Sequence, residues 1–365
     1  MNGVDFPEPR RQTVLEAAEA PENDPAVSQA GVSRKTMDST DVQSGPTQTK
    51  GMAEMCERKY ELTDETKTLS DGTVLHRIRA VRDFGSKELT KIHTGDLGGW
   101  VDGEDRLSHE GNAWIYDDAQ AYGDSKVLGD AHVFGNAKVY DHARVYGCAT
   151  VGGTACVYGR SKVCGRSSVN GNAHVYGVAV VSGDAFVYES VQIYKSAYIN
   201  GNAIVRGSAR VYGNVWVFGY AQIYGDAQIH DGAWVYGDAQ IFGDAEIYGD
   251  ARVYESAQVY NHAQVHGDVR ICGAAIICGD AQIGKSSDYA VYKNTWSSDR
   301  WFTYTRSNRK WKVGCFLGTG EELIAKAFKD SERSGRCYEA IVRAQEAIER
   351  ENTESDNGEK GEGSE

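Results

Sequence analysis

The sequence predicts an all-β solenoid closed by a small cap at each end. Three observations carry that expectation. From Gly111 to Gly284 the chain repeats every six residues without a break, giving 174 residues or 29 hexads with the consensus G-D-A-x-V-Y. Such a period overrides local propensity, because each unit buries its apolar face only by stacking on its neighbours. Gly (42) and Tyr (21) are abundant among the 365 residues, whereas Pro numbers 5. All five prolines (Pro7, Pro9, Pro21, Pro25, Pro46) precede the repeat, as long and tightly paired strands require.

Residues 1–57 are polar, with scattered Pro, Ser, Thr and Asp and no periodicity. They offer too little apolar surface to offset the entropy of ordering, so disorder is expected. Met52 precedes the first segment of folded character and is a candidate start of translation, with 1–51 an upstream extension. Residues 1–11 lack the apolar core of a signal peptide, and no run of ~18 apolar residues occurs. A cytoplasmic address and no membrane span are expected. Residues 58–110 read as an N-terminal β cap. Asp71-Gly72 marks a tight turn, Thr73 to Val81 a strand, and Gly95, Gly98 and Gly99 a loop before Trp100.

Within 111–284 the third position of the hexad is Ala in 23 units and Ser or Val in the other six. The fifth is Val or Ile in 28, with Ala121 the exception. Alternate side chains of a strand share a face, so positions three and five point inward. Ala leaves room at a corner, and β-branched residues fill the middle. Gly stands first in 22 hexads, often before Asp or Asn, and supplies the backbone angles of a corner. Three hexads make an 18-residue triangular coil. Nearly ten coils at the ~4.8 Å strand spacing give a prism roughly 45 Å tall.

These residues resemble the hexapeptide-repeat family, which implies a left-handed parallel β-helix. The closer similarity is to the uncharacterised YdcK-like group of bacterial repeat proteins. It is carried by VLHRIRAVRDFG (74–85), GGWVD (98–102) and LSHEGNAWIYDDA (107–119), and covers about 60–284. Repeats of this style are also similar to those of β-helix proteins found on prophages, which implies a prophage or mobile-element origin. The acetyltransferase label of that group rests on the repeat itself and brings no catalytic residues with it.

Residues 285–350 are expected to form a C-terminal cap, a β-meander followed by two helices. Tyr289 to Trp296 and Trp301 to Phe316 alternate apolar and polar residues, with a turn at Ser307-Asn308. Thr319-Gly-Glu-Glu322 is a capping box that opens one helix, with Leu323, Ile324, Ala327 and Phe328 within it. Tyr338, Ile341, Ala344 and Ile348 mark a second helix. Residues 351–365 read as a disordered acidic tail.

With 18 residues per coil, the outer faces can be read as columns. The sixth position of one face gives Tyr122, Tyr140, Tyr158, Tyr176, Tyr194 and Tyr212, then His230, Tyr248 and His266. Rings at strand spacing are expected to stack as an aromatic ladder that ties coils together; the functional reading is a strip for a glycan or partner protein. The outward fourth position of another face reads Lys126, Arg144, Lys162, Val180, Tyr198, Trp216, Trp234, Arg252, Arg270. Phe186 and Ile204 stand on the adjoining face and Phe218 near the corner. Two adjacent outward tryptophans have no evident intramolecular need, and Trp, Tyr and Arg anchor interfaces. The candidate binding residues are therefore Val180, Phe186, Tyr198, Ile204, Trp216, Phe218, Trp234 and Arg252. The competing expectation is that the C-terminal helices fold back over them.

The net charge of −13 disfavours a general nucleic-acid binder. The segment 285–318 nevertheless carries seven basic residues against Asp288 and Asp299, interleaved with Trp301, Phe302, Tyr304 and Trp311. Weak single-strand binding there competes with a soluble hairpin whose rings pack on a helix. None of the eight cysteines forms C-x-x-C or a zinc spacing, so free thiols are expected. No metal site is expected. His230 and His266 lie two coils apart, roughly 9–10 Å, too far for one zinc. Transferases of the family use a histidine near an extended loop, with acyl-CoA between trimer subunits. No loop interrupts these 29 hexads. The expected function is a non-catalytic scaffold or interaction module without a cofactor, binding a protein partner or itself. The alternative is an acyl-CoA-dependent acetyltransferase with acetyl-CoA at a homotrimer interface.

Overall fold

The computed structural model describes residues 58–85 and 91–358. The expectations for residues 1–57, including a start at Met52, and for 359–365 lie outside the described residues.

Each of the 29 hexads forms one short strand, and successive strands fall in rotation on three parallel sheets. The first face runs from Gln120–Ala121 to Gln282–Ile283, the second from Lys126–Val127 to Arg270–Ile271, and the third from Trp114–Ile115 to Ile276–Ile277. Strands pair in a register of 18, as in Val145 with Val163 and Val163 with Val181. The 18-residue coil is thus the structural unit. Every Ala at position three and every Val or Ile at position five is buried in one continuous core.

All 29 first positions have positive φ. The 22 glycines lie between 65° and 93°. The other seven (Asp117, Asp141, Glu189, Lys195, Asp231, Glu255, Asn261) lie between 50° and 66°, a region that side chains rarely adopt. The corner is therefore one conformation repeated, and it is the reason glycine dominates the hexad's first position.

The solenoid begins earlier than Gly111. Strand Leu97–Val101 pairs in parallel with Gln120–Ala121, and Leu107 bridges Val127. Residues 97–110 form a first, irregular coil. Its offset to the next coil is 20 rather than 18 (Trp100 to Gln120), which hides it from a six-residue period. Gly99 is required there, because a Cβ would lie 2.4 Å from the Ala119 carbonyl oxygen. An antiparallel hairpin, Tyr60–Thr68 and Val74–Ala80, continues the same sheet outward. The Asp71 carboxylate accepts the Thr73 N–H at 2.9 Å and closes its turn.

At the other end, strands Tyr289–Asn294, Arg300–Thr305, Lys310–Val313 and Phe316–Gly318 form an antiparallel meander. Tyr289 and Val291 pack on the solenoid core. Phe302, Tyr304, Trp311 and Val313 pack on helices α1 (Gly320–Asp330) and α2 (Glu332–Gly358) through Leu323, Ile324, Ala327, Tyr338 and Val342. The capping box is present: Thr319 Oγ1 accepts the Glu322 N–H at 3.3 Å, and Glu322 Oε2 accepts the Thr319 N–H at 2.8 Å. α2 continues past the expected boundary at 350. Gly335 lies in its first turn, and no further glycine or proline stands in its way before Gly358.

In a parallel stack alternate residues turn their backbone groups to opposite ends. The N–H groups at even hexad positions donate to the carbonyl 17 residues later, as Lys162 does to Ala179 at 2.9 Å. Each end of the solenoid is therefore left with N–H and carbonyl groups that no further coil meets, and they need partners. At the N-terminal end Lys59, fully buried, donates from Nζ to the Ala113 carbonyl at 2.8 Å, and the Tyr60 hydroxyl donates to the Leu107 carbonyl at 3.0 Å. At the C-terminal end Thr303 Oγ1 accepts the Ile276 N–H at 2.9 Å and Ser307 Oγ the Gln282 N–H at 2.8 Å. The Asp288 carboxylate accepts the Gly284 N–H at 2.8 Å. The C-terminal segment also brings a donor, since the Tyr289 hydroxyl donates to the Arg270 carbonyl at 2.8 Å.

Candidate interaction surface

On the second face the outward fourth position is held mid-strand by the buried third and fifth. Val180, Tyr198, Trp216, Trp234 and Arg252 follow one another in register. Tyr198 and Trp216 have ring centroids 4.8 Å apart, tilted by 47°. Trp216 and Trp234 stack at 5.5 Å and 18°. The Arg252 guanidinium lies over Trp234 at 5.2 Å, and Phe218 meets the same ring edge-on at 6.1 Å. Trp216 keeps 40% of its surface exposed despite these neighbours. The helices pack on the meander. They do not cover this column, so the fold-back expectation is corrected: the meander lies between helices and solenoid and holds them at the end.

Phe186 and Ile204 pair with each other on the third face. Phe186 is 51% exposed, and no ring contact among the described residues joins it to the tryptophans. The column and this pair are therefore separate apolar areas. Val178 and Tyr220, both exposed at corners, were missed by reading only the fourth position. So was a second aromatic stack beside the tryptophans, Phe218–Tyr236–Tyr254 at 4.9 Å. A third, Tyr224–Phe242–Tyr260, runs at 4.8 and 4.6 Å. The same 18-residue column read at position six of every face reveals both.

On the first face Tyr122, Tyr140, Tyr158, Tyr176, Tyr194 and Tyr212 stack with centroids 4.8–5.2 Å apart and planes within 6°. The stack continues through His230, Tyr248 and His266. Burial raises the phenol pKa of Tyr122, Tyr140, Tyr158, Tyr176 and Tyr212 above its ordinary value, because the phenolate loses solvation.

The histidines are each tied to a neighbour. His230 lies between Asp231 at 3.3 Å and Glu246 at 3.0 Å, and His132 meets the Tyr116 hydroxyl at 3.0 Å. Burial pushes the His132 pKa down. His142 and His262 sit beside Asp124 and Asp244, and His174 meets Tyr158 edge-on. Among the described residues, no group of three or more His, Cys, Asp or Glu is placed to hold a metal ion. In the meander, Phe302, Tyr304 and Trp311 are buried against the helices, leaving Trp301 exposed. Three of the four rings considered for base stacking are thus committed to packing. Among the described residues no helix is long and apolar enough to cross a membrane.

Fold and surface together define a parallel β-solenoid repeat protein of about ten coils, capped by an antiparallel sheet and two helices. Comparison with known proteins agrees with the YdcK-like resemblance. A family model described as the YdcK beta solenoid repeat matches residues 247–261. A protein of Escherichia coli (strain K12), named Uncharacterized acetyltransferase YdcK, is 42% identical over 67 residues, 16% of this chain and 19% of that protein. The match thus spans about a fifth of the curated relative's length.

Proposed function

We propose that this chain is a non-catalytic β-solenoid scaffold whose second face is a protein-interaction surface. The observation that carries the reading is the outward-facing, pre-ordered column Tyr198–Trp216–Trp234, with Trp216 exposed, its neighbours half-buried and Arg252 over its end. Rings fixed by mutual stacking lose little entropy on binding, which favours them as interface anchors. The paired histidines and the uninterrupted repeat fit a scaffold better than a catalytic cleft. A cytoplasmic setting and an origin on a prophage or mobile element belong to the same reading.

The test is the double variant Trp216→Ala with Trp234→Ala. Light scattering and affinity capture on the wild-type chain are expected to reveal an association, with itself or with a partner, that the variant loses. Unchanged mass and unchanged capture would overturn the proposal. The second reading, an acetyl-CoA-dependent transferase, is favoured by the name of the Escherichia coli relative. It requires acetyl-CoA to raise the melting temperature, since a ligand binding only the native state stabilises it.

A further inference from the structure

The outward column of the second face also carries charge. Lys126, Arg144 and Lys162 precede its apolar centre, and Arg252 and Arg270 follow it; no carboxylate interrupts the column on a chain of net charge −13. Lys126 is held by Asp105 at 2.8 Å and Arg252 lies on Trp234. Arg144, Lys162 and Arg270 are exposed and make no ion pair among the described residues. We infer that this face receives an extended segment of a partner polypeptide, acidic at both ends and apolar in the middle, laid along the solenoid axis. The inference rests on the proposed reading of the second face as an interaction surface.

Charge complementarity selects the occupant. A second copy related by a two-fold axis across the column would set cationic blocks against each other, which is repulsive. A nucleic acid would satisfy the charges but needs open ring faces for its bases. Here Tyr198 and Trp234 flank Trp216, and Trp216 and Arg252 flank Trp234, so ring edges are what the face presents. Edges suit burial of aliphatic and aromatic side chains. The strand N–H groups are paired within the solenoid, so recognition runs through side chains and not through strand addition. The nine residues of the column span about 38 Å at strand spacing, the reach of about 11–12 extended residues.

The test uses the full chain and a labelled synthetic peptide of about 12 residues, with glutamates at both ends and leucine and phenylalanine between them. Controls are the same peptide with lysine ends and an oligothymidylate of similar reach. The acidic peptide is expected to bind, to weaken as salt rises, and to lose roughly tenfold in affinity in the Arg144→Glu, Arg270→Glu double variant and again in Trp216→Ala. Both arginines are solvent-facing, and a thermal melt checks that the variants remain folded. Equal or tighter binding of the lysine-ended peptide or of oligothymidylate would overturn the inference, as would no binding of the acidic peptide. If association of the chain depends on the tryptophans but not on the arginines, the partner chemistry is wrong and the interaction surface stands. If it depends on neither, both fall.

Discussion

At the residue scale the corner position governs this molecule. A Cβ at a corner glycine meets the backbone of the residue one coil on. At Gly171 it would lie 2.6 Å from the Glu189 nitrogen, in addition to a φ of 69°. The seven corners that do carry side chains each have glycine one coil later. Four of them recover energy through that glycine: Asp117, Asp141, Glu189 and Glu255 accept its N–H at 2.6–3.1 Å. Gly171→Ala is expected to destabilise by about 1–3 kcal/mol, since strain and contact act together. Gly72, at φ 88° with nothing within 4 Å, isolates the strain alone. Thermal melts of the two alanine variants should show the larger loss at Gly171; equal losses would mean that coil-to-coil contact adds nothing.

At the element scale the caps follow from the open backbone edge that a parallel stack leaves at each end. The C-terminal sheet answers exposed N–H groups with Thr303, Ser307 and Asp288, and its other side rests on α1 and α2. Removing it uncovers the last coil with its unpaired N–H and carbonyl groups. Exposed edges invite association. Deletion of 285–365 is expected to give concentration-dependent assembly in sedimentation velocity; a variant that stays monodisperse at all concentrations would remove capping as the role of this segment. Most of these elements could be read from the chain. The meander showed by alternation and α1 by its capping box. The strand Leu97–Val101 could not, because its 20-residue offset breaks the period.

At the scale of the whole molecule, burial of many phenols links stability to alkaline pH. Tyr116, Tyr146 and Tyr254 are pushed up to about 12 from the ordinary 10.0, the first two chiefly by burial and Tyr254 chiefly by its hydrogen bond to Cys272. Five tyrosines of the first-face stack move in the same direction. Above pH 10 the unfolded chain has lost phenolic protons that the folded chain still holds, so stability falls as pH rises towards 12. Below pH 10 this contribution is fully present. The melting temperature is expected to hold to about pH 9 and then drop, with tyrosinate absorbance of the folded protein appearing above the ordinary range. Ionisation at the ordinary pH with no loss of melting temperature would contradict the burial of these rings.

The solenoid follows from the order of residues alone, because a six-residue period leaves one way to bury alternate Ala and Val side chains while glycine turns each corner. The membership of each column follows as well, since residues 18 apart must stack. Which columns remain open depends on the folded molecule. The period already sets Phe186 on a different face from the tryptophans, but only the structure shows that the helices follow the meander to the end of the solenoid instead of returning along its side. The same holds for Lys59. In the sequence it is one lysine among many, and it becomes a buried donor only because the first coil leaves carbonyls that no later strand can reach. Repeating interactions are local and legible in the chain; exposure and end chemistry depend on where the stack stops and what meets it there.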